Sequence, residues 1–237
     1  MVTTRGSCDP ENLLIARLAS RDYEELAPHL ESVHLAQGKV LHEPLKPITH
    51  MYFPENSVIS LMSLTEHGAS IEVGMISCEG AVGVSALLGA PSTPFRAIVQ
   101  APGTAIRARA DKVAALFKTS PALQSTIHRY LHGRLIQLSQ SAVCNRFHTI
   151  EQRLARWLLD SQDRIQNGVF PYTQEFLSAM LGTDRSSVSL ALGLLKRAGL
   201  IGSTRAQVSI VDRKGLEEIT CECYQIIKTE FGVFECY

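Results

Sequence analysis

The chain has 237 residues, with 23 Lys and Arg against 23 Asp and Glu, so a formal net charge of zero announces neither a nucleic acid nor an anionic surface as partner. Hydrophobic residues make up 45% and charged residues 19%, which excludes a disordered chain and suits one large or two small globular domains. No apolar run approaches the roughly 20 residues needed to span a bilayer, and the opening MVTTRGSCDPEN lacks the charged and apolar regions of a secretory signal; a cytoplasmic protein is expected.

Residues 11–31 are predicted as one helix, because Leu13, Leu14, Leu18, Leu26 and Leu30 recur at near-helical spacing among charged positions. From Val33 the texture changes. VHLAQGKVLHEPLKPITHMYFPENSVISLMSL and then EHGASIEVGMISCEGAVG consist of short apolar pieces broken by Gly and Pro, the pattern of an all-β sandwich or barrel. Alternation across Ser57–Leu64 is imperfect, as in strands buried on both faces. Gln100–Ala110 reads as a last strand and Asp111–Lys118 as a short helix.

A long helix is predicted from Pro121, which suits a first helical turn, to Arg146. Leu123, Ile127, Leu131, Leu135, Leu138 and Ala142 advance in steps of four and three and form one apolar stripe. The stripe can pack on the chain's own β-domain, or it can meet a second copy; a dimer seam through Ile127, Leu131, Leu135, Leu138 and Ala142 is the preferred reading, twofold symmetry being the commonest arrangement of oligomers. NRFH marks a domain junction. Thr149, with Gln152 three residues on, then forms a capping-box signature before Leu154, Trp157 and Leu158. Ser161–Gly168 reads as a polar loop, which could meet RNA polymerase or simply be solvated.

The segment YTQEFLSAMLGTDRSSVSLALGLLKRAGLIGSTRAQVSIV holds the most specific signal. Thr173 can cap a short helix carrying Phe176, Leu177, Met180 and Leu181 inward. Gly182 supplies a turn that tolerates positive φ. Asp184 can cap a second helix with Val188, Leu192 and Leu195 inward, and Gly199 stops it. Ile201–Val211 then reads as a small hairpin. Two short helices across a Gly turn, followed by a hairpin, make a winged helix-turn-helix, and that order of signals implies duplex DNA as partner. The first turn of the second helix leaves Arg185, Ser186, Ser187 and Ser189 outside the apolar stripe, where a helix N-terminus in the major groove meets base edges. Arg185 has the forked donors that match guanine O6 and N7. Thr173 and Gln174 suit phosphate, as do Lys196, Arg197 and Arg205. From Glu151 to Lys214 the chain holds nine Lys and Arg against six Asp and Glu, a mild local excess that many solvated helices share.

These residues resemble the Crp/Fnr family, the relatives of the bacterial cyclic AMP receptor protein. TQEFLSAMLGTDRSSVSLAL is similar to the family's T-x-E-x-L-A-x-x-L-G-x-S-R-x-x-V-S-R pattern, and MYFPENSVISL, IEVGMISCEGAVG and FRAIV are similar to its β-roll. The resemblance covers nearly the whole chain. It implies an α+β protein with an N-terminal double-stranded β-helix of the cyclic-nucleotide-binding type over 1–120, a dimerisation helix over 121–146 and a winged helix-turn-helix reader with a C-terminal extension over 147–237. It implies a homodimeric, non-enzymatic transcription regulator on a pseudo-palindromic site, with a small-molecule effector and RNA polymerase as further partners and no membrane. Arg185 matches the family's recognition arginine, and Thr173 and Gln174 match its phosphate-contacting start. The Glu that commonly follows that arginine is Ser186 here, and the second recognition arginine is Leu190, which suits a thymine methyl instead.

The sensor departs further. Nucleotide-binding relatives use a G-E-L/I/V-G/A turn whose Glu accepts from the ribose hydroxyl. Here Gly83, Val84, Ser85 and Ala86 stand there, and Val84 cannot accept. The arginine of the following R-S/T-A becomes Arg96, with Ala97 behind it, and Leu138 and Ser139 fall where the dimer helix would meet a base. Cyclic AMP is therefore disfavoured, since an unpaired buried hydroxyl costs about 1–3 kcal/mol. No cofactor is indicated. Arg96 is left to another anion or to a salt bridge.

Six scattered cysteines, Cys8, Cys78, Cys144, Cys221, Cys223 and Cys236, read as free thiols. Cys144 is expected as a small buried filler at the junction. Cys221, Cys223 and Cys236 cluster in the tail and open an alternative, a metal- or redox-responsive regulator, although no histidine in a standard spacing completes a fourth ligand. No metal ligand is assigned. His34, His42, His50 and His67 in the β-domain admit a cupin-type metal enzyme, but they lack the H-x-H arrangement that chemistry needs.

Overall fold

The computed structural model describes residues 12–165, 169–170, 172–204 and 207–232. Two compact units emerge, one built from residues 12–60 and 75–132, the other from 61–74 and 133–232.

In the first unit the single helix expected over 11–31 is two short ones, α1 (Leu13–Ala16) and α2 (Ser20–Leu26), followed by a 3-10 turn at Ala27–His29 and strand β1 (Leu30–Leu35). The Asn12 side chain accepts from the Leu14 and Ile15 amides to start α1, and its amide nitrogen donates to the carbonyls of Pro54 and Gly80. Pro28 tightens the end of α2 into the 3-10 turn. Leu30, counted among the helical leucines, opens the strand.

Strands β2 (Val40–His42), β3 (His50–Pro54), β4 (Val58–Leu64), β5 (Ser70–Ile76), β6 (Arg96–Ala101) and β7 (Gly103–Arg109) follow. They form two sheets, of order β1-β7-β3 and β2-β6-β4-β5. Leu35, Met51, Phe53, Ile59, Val99 and Ala105, all at most 2% exposed, fill the unit's interior. Val58, Ile59 and Ser60 are buried in succession, which explains the weak alternation there; Ser60 Oγ donates to Gln100 Oε1 at 2.7 Å. The last predicted strand, Gln100–Ala110, spans the end of β6 and all of β7, with Gly103 lying close against the Asn56 backbone where they meet. Helix α3 (Ala110–Thr119) leads into α4 (Pro121–Phe147). Leu123, Ile127 and Tyr130 bury α4's first turns, and the Tyr130 hydroxyl donates to the Ala81 carbonyl at 3.2 Å.

In the second unit, α5 (Ile150–Arg164) starts at Thr149 with the expected reciprocal bonds to Gln152. It runs through Ser161–Arg164, so half of the predicted polar loop is helix; Ser161 is fully buried, and residues 166–168 lie outside the described residues. Strand β8 (Val169–Phe170) precedes α6 (Gln174–Leu181) and α7 (Arg185–Arg197); β9 (Ile201–Ser203), β10 (Val208–Ile210), α8 (Arg213–Ile219) and α9 (Cys223–Gly232) complete the chain. Leu154, Leu158, Leu159, Leu177, Val188, Ala191 and Leu216 supply the apolar core. Trp157 meets Tyr172 edge-on at 4.9 Å between ring centroids, and Tyr172 stacks on Phe176.

Candidate nucleic-acid interface

The turn between α6 and α7 is built by caps at both ends. Thr173 Oγ1 accepts from the Phe176 amide at 3.1 Å and starts α6. Gly182 ends it at φ +58°, a conformation that penalises any Cβ. The buried Arg153 of α5 donates to the Leu181 carbonyl, satisfying one of the last acceptors of α6. Asp184 then caps α7, accepting from the Ser187 amide at 2.9 Å and from the hydroxyls of Ser186 and Ser187. The Ser186 hydroxyl and the Ser187 donors hold the Asp184 carboxyl well below the usual carboxylate range. Val188, Ala191, Leu192 and Leu195 turn inward.

Arg185, Ser186, Ser189 and Leu190 remain on the outer face of α7, all exposed. Leu190 is 59% exposed, a large apolar side chain that the fold does not use. Arg185 Nη1 lies 3.2 Å from Glu175 Oε2 of α6, and both side chains are mostly in solvent. Glu175 was not singled out from the sequence; it stands ten residues before Arg185, and the short turn at Gly182 is what brings the two helices' first turns together. Behind α7 the sheet has order β8-β10-β9. The wing thus has a third strand that the sequence analysis did not anticipate. Lys196 Nζ donates to the Ser203 carbonyl at 3.1 Å and ties the end of α7 to the wing.

The sequence over residues 152–219 matches the Crp-like helix-turn-helix domain. Solved structures with the same fold include a Crp/Fnr-family protein from Eubacterium rectale, 16% identical, with a TM-score of 0.71 over 85% of this chain and 94% of that one. FixK2 from Bradyrhizobium japonicum is 15% identical, with a TM-score of 0.69 over 81% and 98%. A transcriptional regulator of the CRP/FNR family from Thermus thermophilus is 20% identical, with a TM-score of 0.66 over 80% and 97%. Curated protein sequences give no match. This chain carries a Crp-like reader on a Crp/Fnr fold. The Thermus thermophilus protein is a transcriptional regulator. Among the described residues, no helix is long and apolar enough to cross a membrane.

Within the Crp-like domain the predicted contact residues divide. Thr173 and Gln174 are exposed at the start of α6, and Arg185, Ser186, Ser189 and Leu190 share the exposed face of α7. Ser187 is half-buried; it gives Asp184 its amide and, as Ser186 does, its hydroxyl, and so belongs to the cap. Lys196 is exposed but engaged with the wing, and Arg205 lies outside the described residues.

On α4, Ile127 is fully buried within a single chain and is not available to a seam, a correction to the predicted stripe. Leu131 is half-buried and Ala142 exposed, while Leu135 and Leu138 are 63% and 38% exposed. Phe147 adds 74% exposure at the helix end.

The residues expected around an effector divide between the two units. Gly83 turns at φ +94°, and a Cβ there would meet His42 Cε1 at 2.9 Å, with Ile48 and the His50 carbonyl close by. The His42 ring is buried, donates from Nε2 to the His50 carbonyl at 2.9 Å and meets Tyr52 edge-on; burial pushes its pKa down. Val84 and Ser85 begin a 3-10 turn, Ala97 is core at 1% exposed, and Arg96 is paired with Glu43 at 2.9 Å. That pair answers the question left over Arg96 in favour of a salt bridge. Leu138 and Ser139 belong to the other unit, where Ser139 Oγ donates to the Leu135 carbonyl.

The cysteines also differ from expectation. Cys78 is disulfide-bonded, and Cys144, Cys221 and Cys223 are free and buried. Cys221 and Cys223 gather with Cys144 and His148; Cys236 lies outside the described residues. His148 was missed because it was sought near the tail in sequence, whereas it stands four residues after Cys144. None of His34, His42, His50 or His67 joins a converging set of ligand atoms among the described residues.

Proposed function

We propose that this protein is a cytoplasmic homodimer that binds a pseudo-palindromic DNA site through α7 and regulates transcription there. The observation that carries the proposal is the exposed tip of α7: Arg185, Ser186, Ser189 and Leu190 face solvent from a helix whose cap is already satisfied. Arg185 reads guanine, Leu190 meets a thymine methyl, and the start of α6 at Thr173 and Gln174 holds phosphate. With Ser186 and Leu190 as they are, the half-site differs from that of the cyclic AMP receptor protein.

We assign residues 1–120 as sensor, 121–146 as dimerisation helix and 147–237 as reader. The seam is supported by the stripe of half-buried Leu131 and exposed Leu135, Leu138 and Ala142, spaced as coiled-coil contacts are. An effector acts through a shift between two states of the dimer. Cyclic AMP does not fit that role, because Val84 offers no acceptor, Arg96 is already paired and the His42 ring crowds the turn at Gly83. RNA polymerase is the remaining partner.

The test is selection of sites from genomic DNA fragments by the purified protein, followed by a count of chains per site. Two chains on half-sites one helical turn apart, roughly 10–10.5 base pairs centre to centre, are expected. Retention of a shuffled sequence as well as the best palindrome at matched salt overturns it.

A further inference from the structure

Four ligand atoms converge where the long helix ends. Cys144 lies in the last turn of α4 and His148 in the connection to α5. Cys221 and Cys223 stand at the connection to α9 and at its first residue. Their Sγ and ring nitrogen atoms all lie within 4.8 Å of one another. Cys144 Sγ is 3.6 Å from Cys221 Sγ, and Cys223 Sγ is 3.7 Å from His148 Nδ1. A tetrahedral zinc centre with Zn–S near 2.3 Å and Zn–N near 2.0–2.1 Å has edges of about 3.5–3.8 Å. The two close approaches therefore already have the length of tetrahedron edges. All three cysteines are at most 3% exposed, so the centre is sheltered from water.

The surroundings have the parts that a metal centre requires and that plain packing does not. His148 turns Nδ1 toward the sulfurs and presents Nε2 to Glu222 Oε2 at 3.3 Å, the carboxylate–histidine arrangement that fixes ring orientation and tautomer at metal sites. Arg156 Nε donates to Cys144 Sγ at 3.3 Å, and its Nη1 is held by Asp160 at 2.9 Å. Three thiolates and a neutral imidazole around a divalent ion leave one negative charge, and that guanidinium offsets it.

We propose that Cys144, His148, Cys221 and Cys223 form a structural site for a thiophilic tetrahedral cation of the zinc(II) class. The ion joins positions 77 residues apart in sequence, and the loop it closes contains the whole helix-turn-helix. Binding one ion thus staples the C-terminal helix to the junction between α4 and α5 and removes loop entropy from the unfolded chain.

The test uses the full chain, reduced, freed of metal by a chelator and then given zinc(II) alone or cobalt(II) alone. About one zinc per chain, a rise in Tm on loading, and a cobalt spectrum with thiolate charge-transfer and tetrahedral d–d bands are expected. Cys223→Ser should lose the thiolate signature in proportion. Glu222→Gln, which leaves every ligand in place, should weaken zinc binding roughly 10- to 100-fold. Reduced protein that holds no stoichiometric zinc, or whose cobalt spectrum is octahedral, overturns the site; so does a Cys144–Cys221 disulfide as the pair's only chemistry. Metal content is read without DNA, so failure here leaves the DNA-binding proposal standing, and failure of DNA binding by zinc-loaded protein leaves the site standing.

Discussion

Replacement of Arg185 by alanine tests the reader at its centre. In the free protein the guanidinium is 3.2 Å from Glu175, with the two side chains 66% and 73% exposed. An ion pair that open contributes about 0–1 kcal/mol, so DNA has little to displace. A forked contact to guanine contributes about 1–3 kcal/mol of discrimination at each half-site. The guanine contact wins. Across two half-sites, Arg185→Ala should weaken binding to the best palindrome by about 2–5 kcal/mol, from roughly 30-fold to several thousand-fold, each 1.4 kcal/mol being tenfold. Binding to a shuffled duplex should change far less, because phosphates supply most of the non-specific term. The assay is fluorescence anisotropy with both duplexes across a salt series. The slope of log affinity against log salt should stay within about one charge of the parent for each lost guanidinium, while the gap between duplexes closes. If affinity for both duplexes falls equally, the side chain holds phosphate and the base-reading assignment is wrong; if neither falls, α7 is not the reading helix.

Leu135→Glu on the exposed stripe of α4 should convert dimer to monomer in sedimentation velocity while leaving far-UV circular dichroism unchanged, because the side chain is 63% exposed in one chain. Gly182→Ala should lower stability by about 1 kcal/mol or more in urea denaturation, since alanine is strained at φ +58° and its Cβ would stand 2.6 Å from Ile71 Cδ1. His42 carries a pH signature: burial depresses its pKa in the folded chain, so the unfolded chain takes up the proton first. The stability it protects is whole above 6.5 and is lost as pH falls from there toward the depressed value. His42→Gln should therefore flatten the fall of Tm as the pH drops below about 6.5.

The reader was legible because its signals are local. Thr149 with Gln152, Thr173, Gly182, Asp184 and Gly199 each act on atoms within a few residues, and every one of those caps and turns forms as expected. The long helix was legible for the same reason, with one residue's difference at its end. Illegible were features set by distant chain. The anchoring of α1's start follows from Asn12 donating to Pro54 and Gly80, 42 and 68 residues on, and no periodicity within 11–31 encodes that. Two-residue strand β8 exists because it pairs with β10 across α6 and α7.

The same distinction applies to the long helix and to the thiols. An apolar period of three and four says that Ile127 and Leu135 share a face; it does not say where that face stops meeting its own unit. The structure puts the change between Ile127, at 0% exposed, and Leu135, at 63%. For the thiols, proximity in sequence pointed to the tail, whereas among the described residues the fold adds to Cys221 and Cys223 the pair Cys144 and His148. Their spacing of four residues places them one turn apart where α4 runs out. That spacing was visible in the sequence, but a helix bearing Cys and His at four residues is only half a ligand set. Cys221 and Cys223 complete it only because α8 and α9 return along α5, held by Arg213, which pairs with Asp163 at 2.6 Å and donates to the Tyr224 hydroxyl at 2.7 Å. If that return were loosened by Arg213→Ala, Cys144 would keep its neighbour Arg156 and lose its thiol partners. Thiol labelling of the reduced protein would then rise at Cys221 and Cys223 before it rose at Cys144.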